Sequence, residues 1–244
     1  MRIPTDDVYW GEFVPSETRC RVLGDVRGKR ILEIGCGGAQ NSIALWKWGA
    51  DASGIDVSTK QILYAKRLAR HEDAGVNLLV ASMENLPFRD ETFDIVMTAI
   101  SLHYTLGFDT TVAEVNRVLV DGGFFTFSMT HPLFEGKLVS IRGKNTAIVI
   151  GDYFKRRVVR WTEKLPDGST VRMYSYYRTL QDYFDALLKN GFAIERYLEL
   201  ERLKENDLHP LDREDISRSR QARRLYEFMK KVPCWIIIKA RKGS

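Results

Sequence analysis

Two groups of residues have types and spacings suited to chemistry. The first is Glu33-Ile34-Gly35-Cys36-Gly37-Gly38, which joins a short apolar run to a stretch of helical periodicity. Glycines at 35 and 37 let the backbone turn sharply and come within contact distance of a ligand, because they have no Cβ. The helix that follows would aim its free N–H groups at the same place, which suits a nucleotide-type molecule. Asp56 ends a second short run, where a carboxylate can accept both hydroxyls of a ribose. The second group is His103 and Tyr104 in Ser101-Leu102-His103-Tyr104, with His131 in Met129-Thr130-His131-Pro132. Imidazole can take or give a proton near neutrality. These three are therefore the candidate base or substrate-orienting groups, and each has an equally ordinary reading as a cap or loop anchor. His71 and His209 read as solvated or structural. Cys20, Cys36 and Cys234 lie far apart, so no metal site and no disulfide framework is expected.

The elements that must position these groups alternate. Strands are expected at 31–34, 51–56, 77–82, 93–98 and 124–129, with helices at about 41–48, 59–72 and 110–120 between them. Ser58 is placed to cap the second of these helices. Strands alternating with helices at this spacing imply right-handed crossovers and a parallel sheet. In such a sheet the ligand mouth lies at the carboxyl ends of the strands, which is where Gly35, Asp56, His103 and His131 fall. A helix is expected to start at Ser16 and to bury Val22, Leu23 and Val26. Tyr9 and Trp10 ahead of it read either as packing residues or as a lid. Residues 131–178 break the rhythm. Phe154–Lys164 and Thr170–Tyr177 flank a Pro166-Asp167-Gly168-Ser169 turn and read as a β-hairpin. A helix at 180–190, a strand at 192–203, helix from about 217 and a last strand at 234–240 complete the chain. The architecture expected is α/β: a Rossmann-like seven-stranded, mostly parallel sheet with helices on both faces, an antiparallel final strand and an inserted β-hairpin cap. It reads as one domain over 1–244, with a cofactor-binding core at 28–130, the cap at 131–178 and the rest of the sheet at 179–244.

The glycine turn alone does not choose its ligand. A dinucleotide fingerprint needs Gly or Ala at its sixth position, and Gln40 stands there; a P-loop is excluded because no Gly-Lys-Ser/Thr follows. The turn is followed in order by Gly54-Ile55-Asp56-Val57-Ser58, Glu84-Asn85-Leu86-Pro87-Phe88, Phe93-Asp94-Ile95-Val96 and Glu114-Val115-Asn116-Arg117 through Gly122-Gly123. This ordered set resembles the class I S-adenosylmethionine-dependent methyltransferases, in particular the small-molecule branch related to the ubiquinone/menaquinone-biosynthesis enzymes. The resemblance covers about 28–130 and continues more weakly to the last strand.

The resemblance implies S-adenosyl-L-methionine as cofactor and S-adenosyl-L-homocysteine as product. It places Gly35, Cys36 and Gly37 against the methionine part, with Asn41 in the same site and Glu33 near the ammonium. Asp56 would hold the ribose and Val57 pack on the adenine, with Ser82, Met83 and Glu84 bordering it. Ala99 and Ile100 would line the sulfonium pocket. Ser82 stands where the family often has Asp, and Glu84 could substitute. Ala39 replaces the third glycine of the loop, which matters only if φ there is positive. The expected reaction is an in-line methyl transfer to an O, N or C atom of a small-molecule acceptor.

Composition limits the alternatives. The chain has 244 residues, 44% of them hydrophobic, a net charge of +5 and no apolar run long enough to span a bilayer. The N-terminus is acidic where a secretory signal is basic, so a cytoplasmic setting is expected. The basic charge leaves a tRNA or rRNA acceptor open, although no Asn/Asp-Pro-Pro-Tyr-type tetrapeptide follows the fourth strand. A non-catalytic cofactor-binding protein is the third reading. Oligomeric state is not legible.

Overall fold

The computed structural model describes residues 3–132, 137–140, 146–149, 152–164, 168 and 170–243. Five strands, β1 (Arg30–Ile34), β2 (Asp51–Asp56), β3 (Asn77–Val80), β4 (Phe93–Ala99) and β5 (Leu119–Thr130), pair in parallel. Between them run helices α2 (Gln40–Lys47), α3 (Thr59–His71) and α4 (Phe108–Val118). The Ser58 side chain caps α3 by accepting the Gln61 N–H, as expected. Two later strands, β10 (Phe192–Leu200) and β11 (Trp235–Lys242), extend the sheet to the order β10-β11-β5-β4-β1-β2-β3. Strand β11 runs antiparallel to both its neighbours. The expected seven-stranded α/β sheet is therefore the fold.

The central strands read as continuous apolar runs because both faces are covered. Ile31, Ile95, Met97 and Ile237 point into one core with the N-terminal arm, α2, α6 (Pro210–Arg218) and α7 (Arg220–Phe228). Leu32, Ile34, Val96, Phe125 and Ile238 point into the other, with α4 and α5 (Leu180–Lys189). Strand order reverses between β1 and β4, so a crevice opens at their carboxyl ends.

The cap contains β8 (Val158–Lys164) and β9 (Thr170–Tyr176), an antiparallel pair starting four residues later than expected. The Pro166-Asp167-Gly168-Ser169 turn falls mostly outside the described residues. A second antiparallel pair, β6 (Lys137–Ser140) with β7 (Thr146–Val149), had no clear signal in the sequence.

Three expectations change. The first helix, α1, is a single turn, Glu17–Cys20, ended by Arg21 in the left-handed region. Val22, Leu23 and Val26 are buried from irregular chain beyond it, held partly by the Leu23 N–H donating to buried Glu17. Helix α6 had not been anticipated before residue 217; His209 caps it by accepting the Leu211 N–H. Tyr9 and Trp10 are buried in the core, so they pack rather than cover.

Candidate active site

Three backbone features build the mouth on the β1 side. Gly35 has φ +67° and Gly37 has φ +52°, both in the left-handed region where glycine carries no Cβ penalty. The two differ in what surrounds them. A Cβ on Gly35 would lie 2.5 Å from the Ser101 Oγ, so the turn is packed directly on the loop after β4. A Cβ on Gly37 would meet nothing within 4 Å, so that side of the turn opens to a ligand. Ala39, the N-cap of α2, also sits at φ 60° and is completely buried. The methyl that replaces a third glycine is thus held in a strained conformation, packed with Ile43, Ile62 and Ala65.

Side chains then fix the turn. Asp56 accepts the Gly37 N–H at 2.9 Å through one oxygen and the Ser58 N–H at 2.8 Å through the other. A carboxylate has about four lone-pair sites, so two remain for a diol. Val57 beside it is 76% exposed, an apolar side chain where a flat ring could lie. Glu33 is enclosed. It accepts from Asn41 Nδ2 at 3.1 Å, Ser42 N at 3.0 Å and Ser42 Oγ at 2.5 Å. Burial raises its carboxyl to about 7, against the opposing hydrogen bonds from Ser42 and Asn41. Asn41 in turn accepts the Tyr9 N–H at 2.8 Å, and the Tyr9 hydroxyl donates to buried Asp212 at 2.9 Å. The glycine turn is therefore tied through α2 to the N-terminal arm and α6, a connection the sequence did not announce. Cys36 is buried, and desolvation pushes its thiol far above the ordinary range, so the thiol itself is not a reacting group.

Ser82 is exposed and accepts the Glu84 N–H at 3.2 Å. Met83 is half-buried, and its Cε lies 3.2 Å from where a Gly35 Cβ would be. Glu84 is turned toward the next loop. One of its oxygens accepts from the Thr105 hydroxyl and from the Gly107 N–H at 3.0 Å, which holds its carboxyl below the ordinary range. Glu84 thus clamps two loops together, and that oxygen is not left for an adenine amino group.

At the end of β4, Ala99 is half-buried and Ile100 adopts φ 57°. A β-branched residue there is a real outlier, costing on the order of 1–3 kcal/mol. The Ile100 N–H donates to Ser128 O at 3.0 Å, so β5 holds the strained residue in place. Ala39 and Ile100 thus place positive-φ, non-glycine backbone on both sides of one crevice.

The candidate proton-transfer residues separate. His103 and Tyr104 are together, ring centroids 4.0 Å apart, and Tyr104 faces Trp161 of the cap at 6.3 Å. The His103 Nδ1 is buried and has no hydrogen-bond partner among the described residues. Burial and the nearby Arg178 charge depress the ring to about 4, so it is neutral at physiological pH. His131 lies elsewhere. Its Nε2 contacts Glu199 Oε1 at 3.2 Å and the Tyr197 hydroxyl at 3.5 Å, both from β10, and its N–H donates to Cys234 O. It is almost fully buried, and desolvation lowers its pKa despite Glu199.

Arg178 was not among the candidates. Its guanidinium donates to the carbonyls of Thr105 at 2.5 Å, Leu106 at 3.0 Å, Leu102 at 3.4 Å and Tyr176 at 3.4 Å. It also lies over the Phe108 ring at 5.3 Å. One cation thus joins the cap to the loop that carries His103. It also lines a cleft of about 540 Å³ with Leu106, Phe108, Val158, Tyr176 and Lys189, to which no residue of the glycine turn contributes. Sequence offered no signal for this role, because three of the four partners are carbonyls more than 70 residues away. Among the described residues no cluster of His, Cys, Asp or Glu could hold a metal, and no helix is long and apolar enough to cross a membrane.

Comparison with known proteins matches this geometry. A methyltransferase-domain family model fits residues 32–127, the stretch from β1 to β5. This chain contains a class I S-adenosylmethionine-dependent methyltransferase domain. S-adenosylmethionine is the cofactor of that domain. Over nearly its whole length this chain superposes on a Listeria monocytogenes protein described as an S-adenosylmethionine-dependent methyltransferase. The identity is 26% and the TM-score 0.69, covering 93% of this chain and 96% of that one. In sequence it is similar to a fatty-acid O-methyltransferase of Mycolicibacterium smegmatis, 36% identical over 113 residues, 46% of this chain and 40% of that protein. It is also similar to a phthiotriol/phenolphthiotriol dimycocerosates methyltransferase of Mycobacterium tuberculosis, 34% identical over 110 residues, 44% of this chain and 40% of that protein. The matched stretch thus spans less than half the length of these curated relatives.

Proposed function

We propose that the methyltransferase chain moves a methyl group from S-adenosylmethionine to a small-molecule acceptor with an apolar body. The observation that carries the reading is the pairing of Gly35 and Gly37: one packed on Ser101, the other open beside Asp56 and bare Val57. Gly35, Cys36 and Gly37 would border the methionine part, with Asn41 holding the turn's shape and Glu33 supplying negative charge through space. Asp56 would take the ribose hydroxyls, Val57 the adenine face, and Ser82, Met83 and Glu84 the far edge of the ring. Ala99 and Ile100 would line the reacting end. The cofactor, when bound, supplies a methyl already activated on a sulfonium, so the protein's work is alignment and exclusion of water. The cap at 131–178 would provide the acceptor's cover, Trp161 and Tyr104 forming an aromatic shelf beside His103. The names of the two curated relatives support an acceptor with a long apolar portion. All three cysteines are free thiols, in keeping with a cytoplasmic setting.

Calorimetry tests the cofactor reading directly. S-adenosylmethionine and S-adenosylhomocysteine should bind, and Asp56→Ala should weaken both about a hundredfold, or about 2.7 kcal/mol. Undiminished affinity in that variant removes the ribose assignment. Binding of NADH in place of S-adenosylmethionine removes the whole reading.

A further inference from the structure

We propose that the outward face of the β8–β9 hairpin docks on a bilayer containing anionic phospholipid, so that the mouth opens against the membrane surface. The inference rests on the reading above of an acceptor with an apolar body and deepens it by naming where that acceptor is met.

Strands β8 and β9 pair only with each other. Residues opposite one another in such a pair share a face. Val159 opposite Ser175, Trp161 opposite Met173, and Val171 form the face toward Tyr104. Val158 opposite Tyr176, Arg160 opposite Tyr174 and Thr162 opposite Arg172 form the other. The rest of the chain does not bury that second face: Val158, Arg160, Thr162, Arg172 and Tyr174 are all exposed. Phe154, just ahead of β8, is 81% exposed. Apolar side chains gathered on one exposed surface mark an interaction site.

Charge names the partner. Residues 152–178 hold seven Lys or Arg against three Asp or Glu, four of the chain's net +5. The acids at the foot of the hairpin do not cancel this. Asp182 pairs with Arg156, Asp109 with Lys189 at 3.6 Å, and Asp185 accepts from Gln181 at 3.2 Å. With Arg157 and Arg178 in the same cleft, four cations meet those three acids. Farther along the strands, Arg160 lies 6.0 Å over the Tyr174 ring, and no carboxylate among the described residues pairs with Arg160 or Arg172. Arginine beside tyrosine and phenylalanine suits a headgroup layer. The guanidinium meets phosphate, while the rings and the aliphatic arginine stems enter the acyl boundary. Each cation held near an anionic surface strengthens binding. A nucleic acid would be drawn by the same charge, but exposed Phe154 and Val158 bring hydrocarbon where a phosphate-tracking groove needs donors. Docking on this face leaves Val159, Trp161 and Met173 toward Tyr104. An acceptor whose body lies in the acyl layer then reaches the mouth along an apolar wall, without crossing water.

The test uses the full chain in sedimentation with three probes: vesicles of phosphatidylcholine and phosphatidylglycerol in equal parts, vesicles of phosphatidylcholine alone, and tRNA read by gel shift. The chain should sediment with the mixed vesicles and not with phosphatidylcholine alone. Arg160→Glu combined with Arg172→Glu should weaken binding to the mixed vesicles at least about tenfold. Phe154→Ser should weaken it about fivefold, and Phe154→Trp should keep it. Calorimetry with S-adenosylhomocysteine should give unchanged affinity in every variant, which shows that each is folded. The proposal is overturned if the chain does not sediment with the mixed vesicles, if both kinds of vesicle bind it equally, or if these substitutions leave binding intact. It is also overturned if tRNA binds more tightly than the mixed vesicles and the same arginine substitutions abolish that binding. Sedimentation does not depend on the cofactor, so a chain that docks on vesicles without binding S-adenosylhomocysteine fails the cofactor reading alone, and one that binds S-adenosylhomocysteine without docking fails this inference alone.

Discussion

The two halves of the mouth are built in opposite ways. On the β1 side the site is backbone: two glycines with positive φ, one packed and one open, fixed by the Asp56 carboxylate 19 residues away. Its elements follow one another along the chain, so the glycines, Glu33, Asn41 and Asp56 all come with the β1–α2–β2 unit, and Ser101 packs on Gly35 from the loop after β4. On the β4 side the site is side chains gathered from afar: His103 and Tyr104 after β4, Trp161 from β8, and Arg178 after β9. The first half presents hydrogen-bonding groups to a ligand of fixed chemistry. The second presents a neutral ring, an aromatic shelf and the Arg178 guanidinium bonded to backbone carbonyls. The matched family stretch, 32–127, contains the first half together with His103 and Tyr104, and ends before the part of the second half that carries Trp161 and Arg178.

The sharpest break of this contrast comes from the two glycines. Gly35→Ala forces a methyl onto Ser101 at a positive φ and should cost about 3–5 kcal/mol of stability, abolishing S-adenosylhomocysteine binding along with the fold's upper rim. Gly37→Ala meets no atom within 4 Å and should cost only about 1–2 kcal/mol in denaturation, while cofactor affinity falls at least about tenfold. Equal effects of the two substitutions on stability and binding would erase the distinction between a packed and an open glycine.

Glu33 gives an effect of intermediate size with a defined sign. Its carboxyl is raised from 4.5 to about 7 by burial, so the folded protein holds a proton that the unfolded chain has already lost in this window. The stability this confers is complete below about pH 4.5 and is lost as pH rises through about 7. The unfolding free energy of wild type, from denaturant titrations, should therefore decline from about pH 5 to about pH 8, by on the order of 3 kcal/mol, and that of Glu33→Gln should lack this slope. A bound ammonium would favour the ionised carboxylate. Cofactor binding near pH 6.5 should then release protons, seen as a dependence of calorimetric heat on buffer ionisation, and the release should vanish in the Gln variant.

The smallest expected change is Ala39→Gly. Relief of the left-handed alanine favours the variant by about 1 kcal/mol, and loss of a buried methyl opposes it by about the same, so thermal stability should move by no more than about 1 kcal/mol either way. Cofactor affinity should stay the same, because the Ala39 side chain packs with Ile43 and Ile62 rather than facing the open side of the turn.

Much of the fold was legible because its signals are local. The apolar run 31–34, the glycines after it, the Ser58 cap and the alternation of strands with helices each rest on residues within a few positions of one another. Helix α1 was overextended because Ser16 and Glu17 start a helix well, while nothing nearby shows that Arg21 turns left-handed to send Val22 and Leu23 into the core. Tyr9 could be read as a lid for the same reason: its partners, Asn41 and Asp212, are 32 and 203 residues away. His103 and His131 looked equivalent because each follows a central strand.

What the sequence determined by itself is the sheet, the glycine turn and the carboxylates that serve it, since strand, turn and cap depend on short-range sterics and hydrogen bonds. Only the tertiary structure decided the ionisation and company of those groups: that Glu33 is enclosed, that His103 is neutral and lies against Tyr104 while His131 is held by β10, and that Arg178 ties the cap to the loop after β4. Those properties depend on what desolvates a group and which distant carbonyl or carboxylate reaches it, and both are set when the chain packs.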